Sequence, residues 1–309
     1  MEFFKKETAI DFMGLKRFTA FFSITLSILS LFCIYYKGIN FGMEFTGGTQ
    51  IELRFAKLIE PSEVRKELQH AGFKEIRVQT YGSIHDILVR MANSDNSNEN
   101  ELNKQLTTMF SKDGQSVEVR RVEYIGSEVG EQLAEQGGLA VLLAILATMI
   151  YIALRFEYRF AFSAALSLCH DAIIVLGIFS FFQIEFDLPT LAGILAVLGY
   201  SLNDTIVVFD RIREIFRRAR KEPASMVINL SINQTLSRTM VTSGLTLTVV
   251  LALLCYGGKS LFGFSLALCI GIVFGTYSSI YVASTLALIL GLSRADLLPK
   301  PKSAIDDLP

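Results

Sequence analysis

The chain has 309 residues, 51% of them hydrophobic and 19% charged, with a formal net charge of −1. Soluble domains carry about 25% charged residues, so this composition excludes an ordinary soluble globular protein and predicts a polytopic membrane protein with a soluble part. The balanced charge gives no reason to expect a nucleic-acid partner. The four cysteines, Cys33, Cys169, Cys255 and Cys269, lie in apolar runs and read as small buried hydrophobes rather than as disulfides or a zinc site.

Residues 1–17 are polar and basic, with Lys5, Lys6, Lys16 and Arg17. The apolar run 18–36 comes close to the ~20 residues of a spanning helix. It is longer than the core of a cleaved leader and no A-x-A site follows, so it is read as a retained first span. Residues 37–136 differ in kind. The segment TQIELRF at 49–55 alternates apolar and polar, as a strand with one buried face does. Pro61, Ser62 and Glu63 open a helix with Val64, Leu68 and Ala71 on one face, and Gly72 stops it. Residues 75–81 and 86–91 read as strands around Gly82 and Ser83. A polar loop at 93–100 leads to a helix with Leu102, Leu106 and Met109 at helical spacing, and 117–125 closes with a strand. The order β-α-β-β-α-β predicts a ferredoxin-like α+β domain.

A turn-rich joint at 124–130 precedes the remaining apolar runs. Spans two to six are placed at 139–154, 160–182, 188–209, 239–256 and 261–290, with the basic segment 210–238 as a loop and 291–309 as a tail. Six spans put both termini on one side. Lys and Arg cluster in the N-terminus, the 155–159 loop, the 210–238 segment and the tail, whereas 183–187 has none and 257–260 only Lys259. The positive-inside rule therefore places both termini in the cytoplasm and residues 37–136 outside it.

Polar groups interrupt the apolar runs. Asn203 and Asp204 sit in span four, and His170 and Asp171 near the middle of span three. On span five, Thr235, Arg238, Thr239, Thr242, Ser243 and Thr246 share one helix face. Gly271 and Gly275 form a small-xxx-small pair in span six, which lets helices pack closely. An ionised Asp near the centre of a membrane helix costs about 2.5–3.5 kcal/mol and marks an ion or proton path by default. Asp204 lies about 7–8 Å from the cytoplasmic end of its span at 1.5 Å per residue, a depth compatible with an ion pair to Arg238, which snorkels inward. The alternatives stay open: Asp204–Arg238 as a structural pair, His170–Asp171 as a structural hydrogen bond, and the hydroxyl stripe as packing glue. Asp210, beside Arg211 and Arg213, suits a local ion pair. No nucleophile–base set, Walker loop or metal-ligand spacing occurs, so neither hydrolysis, a cofactor nor a metal is expected.

Several motifs, in order, carry a family resemblance. Residues 40–49 (NFGMEFTGGT) resemble a G-[IL]-D-F-x-G-G-T signature, with Glu44 where Asp is usual. Arg155-Phe156-Glu157 resembles an R-F-E loop, His170-Asp171 an H-D pair, residues 199–214 (GYSLNDTIVVFDRIRE) the most specific motif, and Ser237-Arg238-Thr239 an S-R-T. Together they resemble the SecF family of protein-export membrane subunits, within the RND superfamily. The resemblance implies a bacterial cytoplasmic (inner) membrane protein that works with SecD and the SecYEG channel and uses the proton gradient on translocating unfolded polypeptide, surrounded by membrane lipid. It maps the proton-path acid onto Asp204 and its arginine onto Arg238, with Asn203 as a hydrogen-bond partner. His170, Asp171, Thr239, Thr242, Ser243 and Thr246 stand as polar support. Competing readings are an RND-type proton-coupled transporter of small molecules or lipids, and a non-catalytic membrane scaffold for SecD.

Overall fold

The structure is a computed structural model that describes residues 8–73, 76–81, 83–91, 99–111, 117–218 and 222–292. Lys5, Lys6, Glu75, Gly82, most of the 93–100 loop and the tail with Arg294, Lys300 and Lys302 lie outside the described residues.

Six long apolar helices, each able to cross a membrane, form one bundle. They are α1 (Lys16–Lys37), α5 (Ser127–Arg155), α6 (Tyr158–Phe182), α7 (Leu188–Arg218), α8 (Ala224–Tyr256), and a final span built from α9 (Phe262–Ser278), a π-helical turn (Ser279–Ala283) and α10 (Ser284–Ile289). Between α1 and α5 come α2 (Met43–Thr46), β1 (Gly48–Phe55), α3 (Pro61–His70), β2 (Arg77–Tyr81), β3 (Ser83–Met91), α4 (Glu99–Phe110) and β4 (Val117–Ile125). The chain is thus a polytopic α-helical membrane protein with one α+β domain between its first and second spans.

The domain's four strands run antiparallel in the order β2-β3-β1-β4, the ferredoxin-like arrangement. The alternation in β1 has the expected consequence: Ile51, Leu53 and Phe55 are buried, against Val64 and Leu68 of α3 and Leu106 and Phe110 of α4. Pro61 fits the first turn of α3, where its missing N–H has no helical partner to lose. Gly72 takes a left-handed φ of +93° just past the helix end.

In the membrane part α6, α7 and α9 are the enclosed helices, while α1, α5 and α8 lie outside them. Small residues make the close crossings. Along α7 and α9, Gly193 meets Ala267, Val197 meets Gly271 and Ser201 meets Gly275, at i+4 steps on both helices. At the crossing of α1 and α6, an added Cβ on Gly177 would stand 2.3 Å from Ser30 Cβ. The start of α7 is capped by Asp187, whose Oδ1 accepts from Thr190 N at 2.8 Å.

Three helices are longer than their apolar runs. α5 starts at Ser127, inside the segment read from sequence as a turn-rich joint, and α8 starts at Ala224. With α7 running on to Arg218, most of the 210–238 segment is helical rather than loop. Membrane hydropathy marks the lipid-facing length, and these helices extend past it.

The soluble domain is fixed to the bundle at three places. Phe45, in α2, buries its ring with Val175, Phe179, Phe186 and Ile194. Residues 40–42 pair with Phe186 by backbone hydrogen bonds, Gly42 N to Phe186 O and Phe186 N to Asn40 O, both 2.8 Å. On the opposite side, Lys259 donates to the Thr80 carbonyl and lies over the Tyr81 ring.

Candidate functional site

The three enclosed helices bring two acids into one polar seam. Asp171, on α6, is 0% exposed. Its Oδ2 accepts from Ser201 Oγ of α7 at 2.6 Å and from Ser278 Oγ of α9 at 2.8 Å, and its Oδ1 faces His170 Nδ1 at 3.0 Å. Asp204, on α7, is 3% exposed. Its Oδ2 accepts from Ser243 Oγ of α8 at 3.4 Å, and Ser243 shares a 2.8 Å hydrogen bond with Thr276 of α9. Thr239 and Thr276 flank the same carboxyl, although Thr239 Oγ1 has no partner at good hydrogen-bond geometry. Ser201 and Asp204 are three residues apart on α7, hence on one face, and Ser278 lies two residues past Thr276 on α9. Each acid is therefore solvated by hydroxyls from neighbouring helices, the arrangement that makes a polar group tolerable in a bundle core.

Helix geometry sorts the remaining candidates. Arg238 acts electrostatically on Asp204 but makes no ion pair with it among those in the described residues. It stands about 100° around the helix from Thr239: Thr239 is buried and faces the acid, while Arg238 is exposed. The expected direct pair is thus not formed. Asn203 is exposed for the same reason and does not hydrogen-bond Asp204. Thr242 and Thr246 return their hydroxyls to the Arg238 and Thr242 carbonyls at 3.0 and 2.9 Å, local bonds within their own helix. Thr235 does likewise to Ser231. Of the stripe, only Thr239 and Ser243 turn toward the acid. Asp210 is exposed and is not Arg211's partner: Arg211 pairs with Glu214 and donates to Gln234 Oε1 at 2.8 Å.

Ser201 was visible from sequence in the polar break it forms with Asn203 and Asp204; sequence reasoning missed Thr276 and Ser278, because isolated hydroxyls in apolar runs carry no period of their own. It also missed a second polar cluster, at the joint between domain and bundle. Arg90 of β3 pairs with Glu185 of the α6–α7 loop and donates to Gln50 Oε1 at 2.6 Å. Glu44 lies beside them: a Cβ added at Gly42 would stand 2.5 Å from Glu44 Oε2 and 3.2 Å from Glu185 Oε1. Burial pushes the Glu44 carboxyl above its ordinary pKa. Asp187 and Glu185 add to the rise, while a backbone hydrogen bond and Arg90 oppose it. A carboxyl whose folded pKa is raised adds stability below its unfolded pKa, and that stability is lost as pH rises through the folded value. Glu44→Gln is therefore expected to raise the melting temperature in alkaline buffer and leave it unchanged in acid, as a thermal scan at both pH values would show. Among the described residues, no group of His, Cys, Asp and Glu is arranged to hold a metal ion.

Six membrane-crossing helices, an α+β domain set after the first, and two acids in a hydroxyl-lined seam define the class: a polytopic membrane protein with ionisable groups inside its bundle. Comparison with known proteins narrows it. Residues 105–293 match the family "Protein export membrane protein SecD/SecF, C-terminal", and residues 37–57 the "SecD/SecF GG Motif". A relative described as protein translocase subunit SecF, from Pseudomonas aeruginosa, is 47% identical over 97% of this chain and 98% of its own length. Another so described, from Escherichia coli O157:H7, is 44% identical over 93% and 90%. The crystal structure of SecDF from Thermus thermophilus, a translocon-associated membrane protein, superposes with a TM-score of 0.83 at 38% identity. It covers 92% of this chain, which spans only 39% of that longer one. The chain belongs to the SecD/SecF family of protein-export membrane proteins and is a multi-pass inner-membrane protein.

Proposed function

We propose that the chain is an accessory subunit of the Sec protein translocase that works with SecD and uses the proton gradient to promote late steps of protein export. The observation that carries the proton reading is Asp204: an acid 3% exposed, inside a membrane bundle, held by hydroxyls and without an ion-pair partner among the described residues. A structural acid in such a place is ordinarily neutralised by a cation. One that is bound only by hydroxyls is free to gain and lose a proton.

The partner reading rests on a separate observation. Asn203 and Arg238 are polar and exposed on adjacent helices at membrane depth, which lipid would not tolerate well. A second set of membrane helices covering that face removes the cost, and SecD supplies one. The relatives described as SecF match this chain almost end to end, whereas the SecDF chain is more than twice as long. The description of those relatives as translocase subunits favours a part of the export machinery over a self-sufficient RND transporter of small molecules or lipids. The basic inner ends of α7, with Arg211, Arg213, Arg217 and Arg218, support cytoplasmic termini and an extracytoplasmic α+β domain. The SecYEG channel and the unfolded polypeptide would then be met by the assembled complex.

Asp204→Asn tests the reading. It keeps shape and hydrogen bonding but cannot exchange a proton. The expected result is a complex that assembles normally and loses proton-driven export by about a hundredfold in energised vesicles. Normal export from a normally assembled complex would leave only the scaffold reading.

A further inference from the structure

Asp171 is more deeply enclosed than Asp204, its neighbour His170 is buried too, and neither has a role in the proton path described above. Three features set the pair apart from an ordinary structural hydrogen bond. The first is an unsatisfied nitrogen. His170 is 8% exposed, its Nδ1 faces Asp171, and its Nε2 has no hydrogen-bond partner although buried. Buried polar atoms are nearly always paired. With Nδ1–H donating to an ionised Asp171, Nε2 presents its lone pair to whatever brings a proton.

The second is where that nitrogen's surroundings lead. α1 is apolar along most of its length, yet its three buried residues, Thr19, Ser23 and Ser30, are all hydroxyls. Two of them meet Tyr277 of α9: its OH lies 2.9 Å from Ser23 Oγ and donates to the Thr19 carbonyl at 2.9 Å. The Tyr277 ring lies 6.5 Å from the His170 ring, centre to centre. Tyr277 thus joins the N-terminal third of α1, through its OH, to the neighbourhood of His170, through its ring. The third feature is the backbone. The π-helical turn Ser279–Ala283 begins immediately after Ser278, which holds Asp171. π-turns inside helices occur often at functional sites, where the ladder can change register.

We propose that His170–Asp171 is a second protonatable station of the seam, in series with Asp204 and entered from the α1 side through His170 Nε2. The proposal rests on the proton-path reading of Asp204. The transfer is balanced within the pair. A proton arriving on Nε2 makes an imidazolium, and the Nδ1 proton then passes to Asp171 Oδ1. This leaves a neutral Nε2–H tautomer and a neutral carboxyl. Asp171 Oδ2 then carries less negative charge, so the bonds it accepts from Ser201 of α7 and Ser278 of α9 weaken together. Those helices also carry Asp204 and Thr276, so the state of one acid is felt at the other without a direct bond between them. The groups beside the pair are Ser201 from α7, and Ser278 and the Tyr277 ring from α9; Asp204 lies one turn along α7 from Ser201, and Ser23 and the Thr19 carbonyl of α1 meet the Tyr277 OH. Arg238 of α8 acts at Asp204.

The test uses this chain assembled with its translocase partners in membrane vesicles. The chain has three histidines, and His70→Gln with His85→Gln leaves His170 as the only one in it. With ¹⁵N-histidine in this chain alone, NMR should show His170 changing from the Nδ1–H to the Nε2–H tautomer as pH falls, with a midpoint that moves when Asp204→Asn is added. A His170 whose tautomer never changes, or one indifferent to Asp204→Asn, overturns the proposal, and this readout needs no change at His170 itself. In parallel, His170→Gln should lower proton-driven export by at least about tenfold and flatten its pH profile, with assembly intact. A wild-type rate and profile for His170→Gln, where Asp204→Asn abolishes proton-driven export, overturns the second station and leaves the Asp204 reading standing. Proton-driven export that survives Asp204→Asn brings down both.

Discussion

Gly271→Leu is expected to remove most of the assembled protein from the membrane. A Cβ at this position would stand 2.0 Å from Val197 Cγ2, 2.5 Å from Cγ1 and 2.8 Å from Cβ. Valine has little freedom at χ1 to move aside, and its Cβ moves only with the backbone of α7. Overpacking typically costs about 1–3 kcal/mol and occasionally more, and here leucine adds three further carbons to the clash. The helices cannot separate cheaply, because one turn further on Ser201 and Gly275 are also in contact and Ser201 holds Asp171. A wedge at 271 therefore loosens the seam as well as the crossing. Membrane abundance and resistance to protease report the loss. Val197→Ala added to Gly271→Leu should restore it only in part, since the Cβ-to-Cβ approach remains. Normal abundance for Gly271→Leu alone would show that α7 and α9 do not cross at this point.

The same crossing shows what the chain discloses in advance and what it withholds. The small-xxx-small pair at Gly271 and Gly275 was legible, because small residues at i+4 in an apolar run have one common use. Its partner was not, since Val197 resembles any other lipid-facing valine. The strands of the α+β domain were legible from alternation, which the pleat turns directly into burial of Ile51, Leu53 and Phe55. That Asp204 lies within a long apolar helix followed from the run around it. The side it faces did not: neighbouring residues point about 100° apart on a helix, so Asn203 and Asp204, or Arg238 and Thr239, share a depth and part in direction. Facing is set by which helix packs alongside, and the two hydroxyls of α9, Thr276 and Ser278, come into view only then. The joint between domain and bundle was hidden for a related reason. Arg90 and Glu185 are 95 residues apart in the chain, and nothing local to either marks the other as its partner.

Gly47→Val is expected to leave both parts folded and to unfasten one from the other. Gly47 has φ +71° and ψ 171°, a region open essentially to glycine alone, where another residue costs of order 1–3 kcal/mol. Space is closed as well: a Cβ there would stand 2.7 Å from Ser127 Cα and 3.0 Å from Ser127 N, both fixed in the first turn of α5. Gly48 adds a second such point, with φ +135° and a would-be Cβ 2.7 Å from the Met91 carbonyl oxygen. Between Phe45, plugged into the bundle, and β1, the first strand of the domain, stand only Thr46 and Gly47. The chain can relieve a valine at 47 by withdrawing Phe45 or by swinging β1 away, and either movement separates Arg90 from Glu185. Spin labels at exposed positions, Ile84 on the domain and Tyr256 at the end of α8, measure the outcome. A narrow distance distribution in the native chain should broaden in Gly47→Val, while the domain keeps its own secondary structure. If proton-driven export is lost as well, force made in the membrane reaches the domain through this link. An unchanged distribution together with full export would mean that the two glycines serve only the local turn.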